Sequence, residues 1–388
     1  MIMRINWKAK KLDDACNVAY GTRVVNKRDG GSVFPVYGGG GATFFMDEYN
    51  RENCMVVARF AMSEKCTRFI SGKFFLNDSG LTVLPKSKKK ITQEFIDYQL
   101  ILLNDLIYSL ARGSAQKNLD LPAFRKVEIF YPESLSEQKR IIKILDEVFD
   151  KIEIARKNTE KNLQNVKELF ESYLQGVFLK SINKCEGVRF GEIMELLTDY
   201  HANGSYKILK ENVELKKTED YAWMVRSTDF ENNFKKDKRY ITKKSYNFLK
   251  KSKIFGKEII ICKIGNAGKV YLMPKIDRPC SLAMNSFLVR LNEQKCLSEY
   301  VYRFLNSQNG REQIESRILG TTTKTITKNN VRSIEIPLLS LKEQKQIVKK
   351  LDKLSEQTKK LEKNYQQKIN DLDELKKSVL KKAFSGEL

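Results

Sequence analysis

An internal duplication constrains this 388-residue chain more than any other feature of its sequence. Residues 135–139 (LSEQK) recur as residues 341–345 (LKEQK), and the match continues without a gap at a constant offset of 206. About 15 of 44 aligned positions are identical, which exceeds what two unrelated charge-rich helices share. A repeat of this length indicates that one structural unit is present twice.

The segments that precede the two matching stretches also repeat. Residues 113–117 (GSAQK) parallel 320–324 (GTTTK), and 127–129 (VEI) parallel 334–336 (IEI). The chain therefore consists of two copies of one unit, each made of a globular part followed by a long helix. This predicts a first head at 1–134, a first helix at 135–182, a second head at 183–340 and a second helix at 341–388.

Both long segments carry apolar residues at alternating three- and four-residue steps, which is typical of a coiled-coil seam. Two helices that pair antiparallel would hold their heads at opposite ends and act as a ruler. The last turns, with Phe384, Gly386 and Leu388, would then lie near the first head. The alternative is that each helix packs on its own head. The predicted seam is Ile142, Leu145, Phe149, Ile152, Leu163, Val166, Phe170, Tyr173 and Val177, then Ile347, Leu351, Leu354, Leu361, Tyr365, Leu372, Leu375 and Val379, with Arg156, Thr159 and Thr358 at polar seam positions.

The two heads mix strand and helix patterns, so the predicted fold class is α+β with two mixed heads and a pseudo-two-fold organisation. Short apolar runs predict strands, and one stretch in each head shows helical periodicity. In the first head the predicted strands are 55–60, 73–76 and 81–84, and the predicted helix is 93–112. In the second head the predicted strands are 258–264, 270–273 and 286–291, and the predicted helix is 298–305.

Charge points to a polyanionic partner. The formal net charge is +23, and the heads hold +17 of it, +6 in the first and +11 in the second. Nucleic acid is favoured over an anionic membrane, because the helices show no strongly basic amphipathic face. No apolar run is long enough to span a bilayer, and no secretory signal is evident, so no membrane role is expected. Seven cysteines without a CxxC spacing indicate free thiols and a cytoplasmic location.

The repeated helices with their Leu-x-Glu-Gln-Lys start, and the Gly-[Ser/Thr]-x-x-Lys segment before each, resemble the specificity subunit of type I restriction-modification systems. The resemblance covers essentially the whole chain. Residues 37–41 (YGGGG) also look like a glycine-rich element common in such target recognition domains. The resemblance implies that each head reads one half of a bipartite site in double-stranded DNA. It also implies that the repeated helices form the antiparallel spacer.

The same resemblance implies partners and cofactors. Two DNA adenine methyltransferase subunits would dock on the helices, and restriction subunits would join them. The chain itself would be non-catalytic and would hold no metal. S-adenosylmethionine, Mg²⁺ and ATP would belong to the partners, whose complex would be a DNA adenine methyltransferase and ATP-dependent endonuclease.

Polar and basic loop residues are the candidate DNA contacts, because Lys and Arg neutralise phosphates and Arg, Lys and Asn read base edges. Local turn bonding or plain solvation are the competing interpretations at each site. The candidates are Thr22, Arg23, Tyr37, Gly39, Lys117 and Asn118 in the first head, and Arg226, Ser227, Lys263, Asn266, Lys269, Thr322 and Lys324 in the second.

Enzyme motifs do not stand out. Residues 263–269 (KIGNAGK) have too short a glycine spacing for a P-loop, and Val270 stands where that loop needs Ser or Thr. The single histidine, His201, argues against His-based triads and zinc sites. Two other classes stay open: an enzyme with an unrecognised nuclease or methyltransferase site, and a coiled-coil structural or RNA-binding protein.

Overall fold

The computed structural model describes residues 7–388 and divides into two compact units. The first unit comprises the chain up to Lys161 together with Tyr365–Leu388, and the second is Asn162–Asn364. The division falls inside both long helices. Each unit therefore contains one head, the start of the helix that follows this head, and the end of the other helix. The boundaries of the four sequence segments given above remain a prediction.

The first head is built on a six-stranded sheet with strand order β2-β7-β5-β6-β3-β4. All its neighbouring strands are antiparallel except β3 and β6, which run parallel. The elements up to the first long helix are β1 Trp7–Lys11, α1 Leu12–Ala15, β2 Cys16–Tyr20, α2 Asn26–Asp29, β3 Phe34–Tyr37, β4 Ala42–Met46, β5 Arg51–Ala58, β6 Thr67–Leu76, β7 Gly80–Pro85, α3 Gln93–Leu102, α4 Asn104–Ser109, β8 Ala111–Arg112, β9 Asn118–Leu119, α5 Leu121–Arg125, β10 Glu128–Pro132 and α6 Leu135–Ile182.

The second head repeats this plan with the sheet split in two, of orders β12-β20-β17-β18 and β13-β15-β14-β19-β16. Its strand β14 runs parallel to β19, as β3 does to β6. The elements are β11 Gly187–Arg189, β12 Met194–Asp199, α7 Tyr206–Asn212, β13 Leu215–Lys216, β14 Ala222–Val225, α8 Ser227–Glu231, β15 Tyr240–Ile241, α9 Lys243–Phe248, β16 Lys253–Ile254, β17 Ile259–Cys262, β18 Val270–Leu272, β19 Cys280–Leu282, β20 Ser286–Leu291, α10 Ser298–Leu305, α11 Gln308–Glu315, α12 Lys328–Arg332, β21 Glu335–Pro337 and α13 Leu341–Ser385.

The two α+β heads and the two long helices confirm the predicted fold class. The predicted helix at 93–112 is wrong in one respect, because it breaks at Leu103 into α3 and α4. The break allows the Asn104 side-chain oxygen to accept hydrogen bonds from the backbone amides of Cys66 and Thr67, each at 3.1 Å. These bonds satisfy two sheet-end donors that an uninterrupted helix would leave unpaired.

The long helices run antiparallel within each unit. In the first unit, Arg156 on α6 forms an ion pair with Asp373 on α13 and another with Glu160 on its own helix. In the second, Lys184 beyond the end of α6 pairs with Glu343 in the first turn of α13. The Lys184 hydrogen bond contributes most to a pKa of about 2 for Glu343.

The end of each long helix is buried in the core of a head. Phe384 packs on Phe95 in the first head, with ring centroids 4.9 Å apart, and Leu388 packs on the same core. Phe178, near the end of α6, packs on Tyr300 in the second head, with ring centroids 5.4 Å apart. The prediction that the last turns lie near the first head is therefore confirmed.

The predicted seam is wrong at three positions, since Tyr173, Leu361 and Leu375 are each at least 40% exposed. In place of Tyr173 the structure buries Leu174. The reason is that the seam changes partner near the helix end. Leu174 and Phe178 point into the core of the second head, which shifts the buried stripe by one residue.

Candidate nucleic-acid interface

Strand register aligns the two heads residue by residue. The Arg59 amide, just after β5, donates to the carbonyl of Ser79 at 2.8 Å, before β7. The Lys263 amide, just after β17, donates to the carbonyl of Asn285 at 2.7 Å, before β20. Arg59 thus corresponds to Lys263, and Ser79 to Asn285. We call the sheet end formed by these residues and their neighbouring loops the loop edge of each head.

The repeated GSAQK and GTTTK segments form the same hairpin on the two loop edges. Residues 112 and 118 pair in the first head, and 319 and 325 pair in the second. Gly113 has φ +109° and Gly320 has φ +89°, a region that favours glycine. A Cβ at either position would approach the carbonyl oxygen three residues later to 2.2 or 2.4 Å. The glycine is therefore required by the turn, which explains its recurrence.

Each hairpin is anchored to its loop edge by an equivalent backbone bond. The Leu119 amide donates to the Arg59 carbonyl at 2.9 Å, and the Ile326 amide donates to the Lys263 carbonyl at 3.0 Å. Leu119 and Ile326 are buried, whereas every residue in 112–117 and 319–324 is exposed. Of the predicted contacts, Lys117, Thr322 and Lys324 therefore project from the surface at matching places. Asn118 is half-buried, and its side-chain oxygen accepts from the Ala61 amide.

The glycine-rich loop and Arg226-Ser227 also correspond. The Asn77 amide donates to the Tyr37 carbonyl at the end of β3, and the Ala283 amide donates to the Val225 carbonyl at the end of β14, both at 2.8 Å. Gly38 and Gly39 therefore occupy the places of Arg226 and Ser227. A Cβ on Gly39 would lie 2.9 Å from the Phe60 carbonyl oxygen, so this loop packs tightly on the loop edge.

The remaining first-head candidates lie at the same edge. Thr22 and Arg23 follow β2, and the Thr22 amide donates to the Leu76 carbonyl at 2.9 Å. Both side chains are exposed. Tyr37 is half-buried, with its ring edge-on to Phe74 at 5.6 Å, so its ring serves packing.

Carboxylates hold three of the basic candidates of the second head, Arg226, Lys263 and Lys269. Arg226 pairs with the buried Asp229 at 2.9 Å and with Asp237 at 3.5 Å. The hydrogen bond that Arg226 donates to Asp229 is the main reason why the pKa of Arg226 is raised. Lys263 pairs with Asp199 at 3.2 Å.

Glu231 organises the turn between β17 and β18. Its Oε1 accepts from Lys269 Nζ at 2.8 Å, from the Tyr271 hydroxyl at 3.1 Å and from Asn266 Nδ2 at 3.5 Å. The Lys269 hydrogen bond lowers the pKa of Glu231 and raises that of Lys269. The side chains of Lys269 and Glu231 are 50% and 40% exposed, so the pair lies at the surface.

A cleft of about 470 Å³ opens on the loop edge of the second head. Arg226, Ser227 and Asn285 line it together with apolar side chains that include Met284. The 13 sequence-predicted residues are thus drawn to one edge of each head. Sequence reasoning missed Arg59, which only the strand register identifies as the counterpart of Lys263. Arg59 lies over the rings of Tyr20 and Phe60 at 5.0 and 4.5 Å.

Residues 7–388 provide neither a metal-binding cluster nor a membrane-spanning helix. Within that range, no group of three or more His, Cys, Asp or Glu side chains is placed to hold a metal ion. In the same described part, no helix combines the length and the apolar character that crossing a membrane requires.

The family model and the similar proteins of known family agree with one another. The model of the type I restriction modification DNA specificity domain matches residues 4–165 and 183–371. The type I restriction enzyme MjaVIII specificity subunit of Methanocaldococcus jannaschii is 22% identical over 301 residues, which cover 72% of this chain and 69% of that protein. The StySPI specificity subunit of Salmonella potsdam is also 22% identical over 301 residues, covering 73% of this chain and 62% of that one.

Solved structures show the same fold. A chain from a study of complex assembly and conformational transition of the type I R-M system superimposes with a TM-score of 0.75, covers all of both chains and is 14% identical. The HsdS subunit of Thermoanaerobacter tengcongensis superimposes with a TM-score of 0.54, is 15% identical, and the match covers 99% of this chain and 98% of that one.

Proposed function

The chain belongs to the type I restriction modification DNA specificity family, and we propose that it is the subunit that selects the DNA sequence on which such a complex acts. Each head reads one half of a bipartite site in double-stranded DNA. The subunit contributes recognition and assembly, and the chemistry is carried out by its partners.

One observation carries this proposal: the same loop edge, with the same exposed hairpin, is built twice in one chain. The Leu119 and Ile326 anchors place the hairpins at equivalent positions. A duplicated edge with an exposed lysine on each copy suits two separate contacts with a polyanion that repeats along its length, as duplex DNA does.

We propose the partners on the basis of family membership. Two DNA adenine methyltransferase subunits dock on the long helices, and restriction subunits join where the system cleaves DNA. S-adenosylmethionine, Mg²⁺ and ATP are bound by those subunits, and the complex works in the cytoplasm.

The test is to purify the chain with the methyltransferase subunits encoded beside it and to map methylated adenines on DNA. We expect a two-part motif with a fixed unread spacer. A continuous motif, or methylation without any motif, would contradict the proposal.

A second experiment tests the division between heads. The control is the wild-type complex, and the variant carries residues 1–134 from a relative with a different motif. We expect one half-site to change and the other to be retained. The alternative of an enzyme within this chain predicts turnover with DNA, Mg²⁺ and S-adenosylmethionine in the absence of any partner.

A further inference from the structure

Corresponding positions on the two loop edges fall into two classes. The hairpins agree in their glycine, in their closing lysine, in their turn and in their exposure. The residues beside them differ: Gly38 and Gly39 in one head stand where Arg226 and Ser227 stand in the other. The two halves of a bipartite site share the phosphate backbone and differ in their bases. An element kept alike in both heads therefore suits the backbone, and elements that differ suit the bases.

Electrostatics separates the same two classes. Lys117 Nζ donates to the Tyr108 hydroxyl at 3.0 Å and forms no ion pair, and Lys324 has no polar partner among the described residues. Each lysine therefore offers a full positive charge to a phosphate. The hydroxyls of Thr321, Thr322 and Thr323 likewise bond to nothing within residues 7–388, so they are available as phosphate donors.

The basic residues beside the second hairpin are neutralised and held in place. Arg226 is fixed by Asp229 and Asp237, and Lys269 by Glu231. A carboxylate beside a cation cancels much of its attraction for phosphate, but it orients the donors that remain. Oriented Arg and Lys donors are the groups that read guanine in the major groove.

We propose that the two hairpins, 113–117 and 320–324, grip the DNA backbone without regard to sequence, while the carboxylate-held Arg226 and Lys269 read bases of the second half-site. This inference rests on the proposed function and assigns roles within it. Lys117 and Lys324 supply register and affinity. Arg226 and Lys269 are specificity-determining residues.

The first experiment measures DNA binding by the complete complex over a salt series. Lys117→Ala and Lys324→Ala each make the slope of log K against log salt less steep by about 0.9, the value for one lost phosphate contact. Both variants weaken binding to specific and to non-specific DNA alike, and the methylated motif is unchanged. Lys324→Arg retains the wild-type slope because the charge is kept.

Matched controls are Lys88→Ala and Lys275→Ala. Both lysines are exposed and lie at the opposite ends of the sheets, Lys88 beyond the end of β7 and Lys275 beyond the end of β18. We expect neither to alter the salt slope. A hairpin variant that changes the methylated bases, or that leaves the slope as in the wild type, would overturn the backbone assignment.

The second experiment removes the Lys269–Glu231 pair without changing net charge, as Lys269→Gln with Glu231→Gln. The salt slope stays as in the wild type. Discrimination at one position of the second half-site falls about 5- to 150-fold, and the first half-site is unaffected. Arg226→Lys keeps the charge but loses the two-pronged guanidinium, and it relaxes a second position in the same half-site.

The outcomes separate this inference from the proposed function. If the wild-type complex methylates no two-part motif, the proposed function fails. If the motif is present and the Lys269/Glu231 and Arg226 variants leave it intact, the base-reading assignment alone is wrong.

Discussion

At the residue scale, Gln138 and Gln344 explain why the Leu-x-Glu-Gln-Lys motif appears twice. Both side chains are fully buried at the start of a long helix. The Gln138 amide accepts from the Thr92 amide at 3.0 Å and donates to the carbonyls of Lys90 and Pro132. Gln344 makes the matching bonds, accepting from the Leu297 amide at 2.9 Å. Each glutamine therefore ties a long helix to the start of the helix α3 or α10 in its head.

We expect Gln344→Leu to lower the free energy of unfolding of the second unit by about 1–3 kcal/mol for each backbone group left unpaired in the core. Gln346→Leu is the matched control, because Gln346 is exposed two residues later on the same helix. Denaturant midpoints of the two variants measure the difference. Equal midpoints would show that the buried amide does not hold the helix to the head.

Asp97 is a buried carboxyl on α3 of the first head. Burial is the main reason why its pKa is raised to about 6, and Gln93 Nε2 donates to its Oδ1 at 2.8 Å. A folded-state pKa above the unfolded value means that protonation stabilises the fold. That contribution is present below about pH 4 and is lost as the pH rises through about 6.

We expect Asp97→Asn to stabilise the first unit at pH 8 by about 1–3 kcal/mol, because the variant buries no charge there. The stability of the parent should fall between pH 4 and pH 8 by more than that of the variant. Denaturant midpoints at the two pH values measure this, with Glu48→Gln, an exposed carboxyl between β4 and β5, as the control. A variant less stable than the parent at pH 8 would contradict the assignment.

At the element scale, the long helices owe their stability to the heads as well as to each other. Leu351 on α13 is fully buried in the core of the second head, whereas Leu361, ten residues later, is 41% exposed. Thr159 and Thr358 are buried in the seam, with their hydroxyls bonded to their own helix backbone. The seam is therefore partly polar, and the strongest apolar contacts lie where each helix meets a head.

Leu351→Ala is expected to lower the free energy of unfolding by about 2–5 kcal/mol, through lost burial and the cavity left behind. Leu361→Ala should change it by about 0.5 kcal/mol or less, as for other surface substitutions. Both leucines belong to the heptad pattern, so similar losses would indicate that helix pairing dominates over packing on the head. The measurement is thermal or denaturant unfolding of the whole chain.

At the scale of the whole molecule, the proposed function makes helix length a determinant of the DNA spacer. Seven added residues lengthen a helix by about 10.5 Å, which is about three base pairs and about a third of a DNA turn. Three heptads add about 31.5 Å, close to one full turn. A heptad insertion keeps the apolar residues on the same face of each helix, so helix pairing is preserved. Whether an insertion is tolerated therefore depends on whether the two half-sites still lie on the same face of the duplex.

We therefore expect one heptad, inserted in both helices after Lys161 and after Asn364, to reduce methylation because the half-sites fall out of phase. Three heptads at the same positions should restore it on a motif whose spacer is about nine base pairs longer. Mapping of modified adenines measures both outcomes. An unchanged spacer after the three-heptad insertion would show that the helices do not set the distance.

Much of the architecture was predictable, because duplication and periodicity are properties of the chain itself. The residue matches at 135–139 and 341–345 predicted two heads and two long helices. The strand at 286–291 and the helix at 298–305 have the predicted bounds. Strands β1 to β4 were not predicted, since they are short, partly exposed and lack a clear alternation.

The sequence by itself determined the repeat, the charge surplus and the residue types available for DNA contact, since these need no knowledge of which segments meet. Only the tertiary structure decided the correspondence of Arg59 with Lys263, of Gly38 with Arg226, and the pairing of Lys269 with Glu231. The physical reason is that strand register and ion pairing join residues far apart in the chain. A lysine with a free charge and a lysine held by a carboxylate look the same in sequence, and the fold alone distinguishes them.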